Sequence, residues 1–325
     1  SNCNFMGKYY AQMATHPFAF DPSNRVPHRI LTSLISYLLG FRGKLVIITN
    51  LIFATILIHV IYLYFRTNAS RPGDAFWAAG TITFSLVTLT TIHYGGYNDS
   101  LTYLIIFLMW QFRSRKFLFY LLFFLGLLNR ESIAFLVPWF TYLSISETAE
   151  KRRRIVDTII GLGVSFGLYF LFRHWITWHD SIQYSMQYYL EPLWRNPLAW
   201  LRQSYSHIGL GYFTVFKALW IFPIAAVISL WKMKKWDQII SIGLITAGSF
   251  AQLLFAYDSS RMLTLGFMVI IISLLHLFRE NPFQFRRWIG AIFLFNLMVP
   301  QLYTAAKITD IMHSLPGYLI EYLLR

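Results

Sequence analysis

The sequence predicts an all-α, polytopic transmembrane bundle, with about ten helices crossing or half-crossing the membrane and short interfacial helices on the outer face. Three observations predict it. Hydrophobic residues make up 56% of the 325-residue chain and charged residues only 13%, whereas a soluble domain carries about 25% charged residues. Mean hydropathy is +0.49, so apolar residues exceed what a core can hold and must face lipid. Apolar runs of about 20 residues recur, the length that crosses a hydrocarbon core about 30 Å thick at about 1.5 Å per residue. Finally, 28 Lys and Arg against 14 Asp and Glu give a formal charge of +14. On a soluble protein that excess would point to nucleic acid; on a chain this apolar it records membrane orientation, and no nucleic-acid partner is expected. Cys3 is the only cysteine, which excludes an internal disulfide and a multi-cysteine metal site.

Residues 1–43 are polar and carry no signal-peptide pattern, and they read as an outer loop. Within it, residues 30–39 form an apolar helix too short to cross, expected to lie along the outer surface with its apolar face packed on the bundle. Spanning helices are expected over residues 44–65, 75–93, 155–172, 213–230, 239–256, 263–278 and 288–305. The stretch 101–145 is less regular. It holds apolar pieces at 101–112, 117–128 and 133–145, separated by the cations Arg113, Arg115 and Lys116 and by the polar interruption Asn129, Arg130, Glu131, Ser132. Short or broken helices at membrane depth are tolerated where they line a cavity that admits water, which suggests a funnel. Counting the pieces on either side of Asn129 to Ser132 as separate crossings puts more than half of the 28 Lys and Arg in five short inner loops. One continuous helix over 117–145 would instead set the clusters at Arg113 and Lys151 on opposite sides. The whole chain, 1–325, then reads as a single transmembrane domain with a second long outer loop at 173–212.

With that topology the polar interruptions gather on the outer face, where ionisable groups near the membrane mark functional paths. Asp99, Glu131 and Asp258 are candidates for a general base or metal ligand. Arg25, Arg29, Arg130 and Arg261 are candidates for holding a phosphate, because guanidinium presents a planar fork of donors. A cluster of both signs suits a phosphorylated donor and a hydroxyl acceptor. Plainer roles stand beside these: Glu131 neutralised by the adjacent Arg130, Asp99 capping the helix after it, and Asp258 paired with Arg261 three positions on. The loop 175–212 carries Trp175, Trp178, Tyr184, Tyr188, Tyr189, Trp194, Trp200, Tyr205 and Tyr212, a membrane-interface belt or a platform for sugars and lipid headgroups. His174 and His179 have no third ligand to make a zinc site. No GxxxxGK[ST], GxGxxG, HExxH or GxSxG motif and no tandem repeat occurs, so nucleotide-loop and soluble hydrolase chemistry are not indicated.

These features resemble the GT-C type of polytopic glycosyltransferases, especially small bacterial members that take a sugar from a polyprenyl-phosphate carrier. The residues that carry the likeness are Tyr9 and Tyr10, the basic, Pro-containing run from Arg25 into the short helix, and the Tyr97, Asn98, Asp99 turn. The Leu128, Asn129, Arg130, Glu131 break and the Asp258, Ser259, Ser260, Arg261 turn complete it. The resemblance implies a multi-pass enzyme of the bacterial cytoplasmic membrane with a lipid-phosphate donor at the membrane boundary. Tyr9, Tyr10, Arg25, Arg29, Asn98, Arg130 and Arg261 would bind substrate. A carboxylate would deprotonate the acceptor, and Arg, with or without a divalent cation such as Mg or Mn, would stabilise the leaving phosphate. The family places an acidic residue a few positions before the paired Tyr, where this chain has Asn2 and Asn4. Either Asp21 or Asp99 substitutes or the acid lies upstream, together with a first transmembrane helix that this chain or a membrane-protein partner would supply. A lipid-linked glycan transporter or polymerase-like assembly protein, and a non-catalytic subunit of a membrane complex, are the competing expectations.

Overall fold

The computed structural model describes residues 7–19, 24, 26–68, 71–146, 150–180, 199–255, 258–280, 282–305, 308–312, 314, 316, 317, 320 and 323. Its helices are α1 (Gly7–Thr15), α2 (Leu31–Leu38), α3 (Val46–Asn68), α4 (Pro72–Thr83), α5 (Leu86–His93), α6 (Asp99–Gln111), α7 (Lys116–Asn129), α8 (Val137–Ser146) and α9 (Lys151–Asp180). They continue with α10 (Ala199–Phe216), α11 (Ile221–Lys232), α12 (Trp236–Ala251), α13 (Ser259–Leu263), α14 (Phe267–Glu280) and α15 (Pro282–Met298). An antiparallel hairpin follows, β1 (Gln301–Ala305) and β2 (Ile308–Met312), with Gln301 opposite Met312.

Among the described residues, five helical segments are long and apolar enough to cross a membrane: Gly43–Asn68, Lys151–Ile176, Ile208–Lys232, Trp236–Leu254 and Ser260–Glu280. The α4–α5 pair, bent by 52°, makes six if it is one span. This is the make-up of a multi-pass membrane protein; of the ten or so crossing or half-crossing helices expected, five or six are full spans among the described residues. Two causes are local. The pieces of 101–145 do form separate helices, but α6, α7 and α8 have 13, 14 and 10 residues and are too short to cross alone. The run 288–305 stays helical only to Met298, because Pro300 has no N–H to give and forces Val299 toward extended backbone. The chain leaves that break as β1.

The α4–α5 bend also has a sequence cause. The Thr81, Thr83 and Ser85 hydroxyls donate back to the carbonyls of Ala78, Ala79 and Ile82 at 2.9, 2.8 and 2.6 Å. Such back-bonding competes with the helix ladder and bends it.

The chain forms two compact units. The first comprises Ser1–Leu57 and Thr90–Arg195. Here α6 and α7 form an antiparallel hairpin, and the chain turns back again through a 3-10 segment at Glu131–Leu136 into α8. The Arg154 guanidinium donates to the Ser144 carbonyl at 3.2 Å and to the Arg113 carbonyl at 2.7 Å, and Lys116 pairs with Asp157. The Arg113 and Lys151 clusters therefore lie together, as the broken form of 117–145 requires. α9 packs closely on α7 because Gly161 has no side chain: a Cβ there would stand 2.4 Å from the Tyr120 ring. The expectation for α2 holds in part. Ile30 and Leu34 pack with Ile176 and Phe172 of α9, but the buried residues of the helix are Thr32, Ser33 and Ser36, while Leu38 and Leu39 are 72% and 56% exposed. The hydroxyl face is turned inward because Thr32 and Ser33 have polar partners there.

The second unit comprises Ile58–Leu89 and Asn196–Arg325. α14 is its centre: 89% of the apolar window of Ser260–Glu280 is buried, against 22% for Lys151–Ile176 of the first unit. Between α10 and α11 a 3-10 turn opens at Lys217, whose φ is +49°. The buried Lys217 ammonium donates to the Asn296 and Val299 carbonyls at 3.0 and 2.6 Å, closing the C-terminal end of α15. Asn296 answers with its amide, accepting from Ala218 N at 3.3 Å and donating to the Phe216 carbonyl at 3.3 Å. Two side chains thus satisfy two broken helix ends, which an apolar surrounding makes obligatory. Arg286 holds Asp74 through two bonds of 2.8 and 2.7 Å, tying α15 to α4.

Candidate functional site

The strongest concentration of polar chemistry lies in the first unit, where α7 ends. Asn129 closes that helix. Its amide donates to the Asn98 carbonyl at 2.9 Å and to Thr102 Oγ1 at 2.8 Å, and its Oδ1 accepts from Thr32 Oγ1 at 2.6 Å. Asn98 returns a bond of 2.5 Å to the Asn129 carbonyl. The start of α6, the end of α7 and the inner face of α2 are thereby joined around one asparagine. Every described member of the network is buried, and satisfied buried networks fix a single arrangement.

Two charged groups branch from it. The Arg130 guanidinium is paired with the Asp99 carboxylate, and both side chains are 1% exposed. Arg29 grips Glu131 with two bonds, Nε to Oε2 at 2.8 Å and a terminal nitrogen to Oε1 at 2.6 Å. His28 Nε2 lies 3.3 Å from Glu131 Oε1. The Glu131 side chain is 30% exposed and that of His28 5%. Arg130 and Glu131, adjacent in sequence, do not pair with one another as expected. Arg130 has extended backbone, φ −161° and ψ 114°, so its side chain and that of its neighbour leave on opposite sides.

The electrostatics follow from this placement. Burial alone would raise the Glu131 carboxyl, but the Arg29 guanidinium and then His28 outweigh it and hold Glu131 well below the usual carboxylate range. Burial pushes His28 below its ordinary value of 6.5, further than the Glu131 carboxylate raises it. Near neutral pH the cluster is therefore a carboxylate, a guanidinium and a neutral imidazole. An ionised carboxylate only accepts, so the His28 proton sits on Nε2 and the lone pair on Nδ1.

Tyr9 and Tyr10 are buried in α1 and pack with Met13 and Val26, with Tyr97 against them. The Tyr10 hydroxyl is buried with no hydrogen-bond partner among the described residues, as is Asn98 Oδ1. α1 reaches this position because Gly96 meets Gly7 backbone to backbone: a Cβ on Gly96 would stand 2.6 Å from the Gly7 Cα. The first unit thus holds Tyr9, Tyr10, Arg29, Asn98, Asp99, Arg130 and Glu131 together.

Comparison with protein-family models, curated proteins and solved structures finds no match to this chain. The chemistry of the cluster has to be argued from its own residues.

Asp258 and Arg261 belong to the second unit and are described there alone. Asp258 caps α13, accepting from Arg261 N at 3.2 Å, and its Oδ2 lies 3.7 Å from the Arg261 guanidinium, so the expected three-apart pair forms. The Tyr303 hydroxyl of β1 donates to the same carboxylate. Ser260 then fastens the strand: its Oγ accepts from Thr304 N at 3.0 Å and donates to the Thr304 carbonyl at 3.2 Å. Asp21 and Arg25 lie outside the described residues, as do the side chains of Tyr184, Tyr188, Tyr189, Trp194, Trp200, Tyr205 and His179. Trp178 is 78% exposed, and Tyr212 stacks on Trp220 with centroids 4.1 Å apart. Among the described residues, no three His, Cys, Asp or Glu side chains lie together as a metal site would need.

Sequence reasoning missed two members of the first-unit cluster, His28 and Thr32. His28 directly precedes Arg29, and a basic pair entering a short helix was the available signal. Thr32 was hidden because 30–39 reads as an apolar helix whose hydroxyls look incidental.

Proposed function

We propose that the protein is an integral membrane glycosyltransferase that moves a sugar from a polyprenyl-phosphate donor to an acceptor at the outer face of a bacterial cytoplasmic membrane. The observation that carries this reading is the meeting of His28 and Arg29 on Glu131 at the end of α7, beside the sealed Asp99–Arg130 pair. The α6–α7 hairpin has its basic loop at one end and this cluster at the other, about 20 Å apart for 13 residues at about 1.5 Å each. A hydrocarbon core is about 30 Å thick. With the basic loop at the inner surface, the cluster lies below the opposite one, where a donor phosphate reaches it through the polar break of short helices.

Of the two carboxylates, the buried and clamped Asp99 cannot reach an acceptor hydroxyl without breaking its pair, whereas Glu131 is partly open. Glu131 at rest is a weak base because Arg29 stabilises its charge. A donor phosphate drawing on the Arg29 fork withdraws that stabilisation and raises Glu131 toward the range in which a base works. Glu131, or His28 through its Nδ1 lone pair, then takes the acceptor proton while the acceptor oxygen bonds to the anomeric carbon. The bond from that carbon to the phosphate oxygen breaks, the electron pair leaves with the lipid phosphate, and Arg29 stabilises the charge that develops. A single displacement inverts the anomeric centre.

The test is to reconstitute the purified protein with a panel of polyprenyl-phosphate sugars and lipid or glycan acceptors, and to follow acceptor modification and its anomeric configuration. The expected result is an inverted product with at least one donor. A protein that binds the lipid-linked sugar but never transfers it, with every donor tried, would overturn the reading in favour of transport.

A further inference from the structure

The first unit carries a second charged feature that takes no part in the cluster around Glu131. At the start of α9, Lys151, Arg152 and Arg153 are all exposed, and with Glu150, Val156 and Asp157 they line an open hollow of about 730 Å³ in which the cations outnumber the carboxylates. Arg153 is 76% exposed, with Glu150 3.5 Å away as a weak surface pair. Across from them Lys116 is held by Asp157, and Phe117 is 81% exposed. The floor is rigid, because Arg154 is buried and pinned to the Ser144 and Arg113 carbonyls.

What continues from the hollow along α9 is apolar and bare. Val156, Ile159 and Ile160 are 50%, 64% and 59% exposed. On the same face, at helical spacing from Arg152 through Val156 and Ile159, stand Gly163 and Gly167, and a Cβ at either would meet nothing within 4 Å. A bare apolar face therefore runs along the helix from a cationic end. The first N–H groups of α9 add positive potential at that end.

We infer that this face of α9 is a binding site for an anionic phospholipid, with the headgroup phosphate among Lys151, Arg152 and Arg153 and an acyl chain along Val156, Ile159, Gly163 and Gly167. Three observations choose that occupant: the charge at the start of α9, the apolar character of the exposed face below it, and their continuity along a segment long enough to cross a bilayer. A soluble anion would use the cations and leave the apolar face bare. A second copy of this chain would use the glycines and bring like charges together at the cationic end. The site does not depend on the glycosyl-transfer reading.

Native mass spectrometry of the full chain, titrated with phosphatidylglycerol and with phosphatidylcholine of the same acyl chains, tests it. Each basic residue beside a leaflet favours an anionic lipid roughly fivefold, so the wild type is expected to prefer phosphatidylglycerol by about 100-fold. The Lys151→Gln, Arg152→Gln, Arg153→Gln variant is expected to lose far more of the preference than Lys232→Gln, Lys234→Gln, Lys235→Gln, which removes the same charge from a different basic loop; equal losses would overturn the proposal. Gly163→Leu with Gly167→Leu is expected to weaken both lipids alike. Equal binding of the two lipids by the wild type, or a preference that survives the first triple variant, would overturn the proposal. So would efficient disulfide cross-linking of a Gly163→Cys variant to itself in phosphatidylglycerol vesicles, which would give the face to a second copy.

Discussion

Asp99 and Glu131 are carboxylates on neighbouring branches of one network, and their surroundings assign them different work. Asp99 is sealed against Arg130 with both groups 1% exposed, so removing one charge strands the other in an apolar interior. Asp99→Asn is expected to cost about 3–5 kcal/mol, while Asp99→Leu combined with Arg130→Met should cost far less than the sum of the single changes. Thermal unfolding of the four proteins in detergent would show it, and additive losses would contradict the pairing. Glu131 and His28 give a pH dependence of defined sign. Each has a folded value depressed below its ordinary one, 4.5 and 6.5 respectively. Wherever the unfolded chain binds more protons, stability rises with pH. The contribution of each is therefore fully present above its ordinary value and lost as pH falls toward its folded value. Melting temperature should begin to fall below about pH 6.5 and fall again below about pH 4.5, and Glu131→Gln should erase the second step. At this scale the sequence told which residues carry charge but not who pairs with whom. Arg130 and Glu131 were neighbours in sequence, and a single extended residue sent them to different partners.

Among the elements, breaks matter more than spans. The end of α7, the Lys217 turn and the α4–α5 bend each place polar groups where a continuous helix would have hidden its backbone. The division of 117–145 into two helices was legible, because four polar residues in an apolar run have to be satisfied somewhere. The inward hydroxyl face of α2 was not, since hydropathy counts Leu38 and Leu39 but cannot see Asn129 waiting for Thr32. The strand after Met298 was signalled by Pro300 alone, which a hydropathy window averages away. The close contact of α1 with the Gly95–Gly96 turn yields a prediction at this scale. Gly96→Ala forces backbone against backbone at Gly7 and should lower stability by about 1–3 kcal/mol or abolish folding, whereas Gly163→Ala, in open space, should be neutral. Comparing the yields and melting temperatures of the two variants would decide, and equal stability would refute the contact.

For the molecule as a whole, the excess of cations reads as a matter of orientation, and the structure groups Arg113, Lys116 and Arg154 at one end of the α6–α7 hairpin. Membrane sidedness then becomes a direct expectation. In intact cells, in a Cys3→Ser background, Arg42→Cys should react with a membrane-impermeant maleimide and Ser114→Cys should not; the reverse pattern would invert the topology. Of the candidate residues, the described ones of the first unit were brought together, and in the second unit Asp258 and Arg261 form a helix cap that also holds Tyr303 of β1. Asp258→Ala should cost about 1 kcal/mol of stability through the lost cap, read as a lower melting temperature. The most direct test of the central claim, that Glu131 with its partners is the reacting centre, is the transfer rate of reconstituted Glu131→Gln under saturating donor and acceptor. A loss of about 10²- to 10⁴-fold in kcat with donor binding retained is the predicted result; a kcat equal to that of the wild type would contradict it.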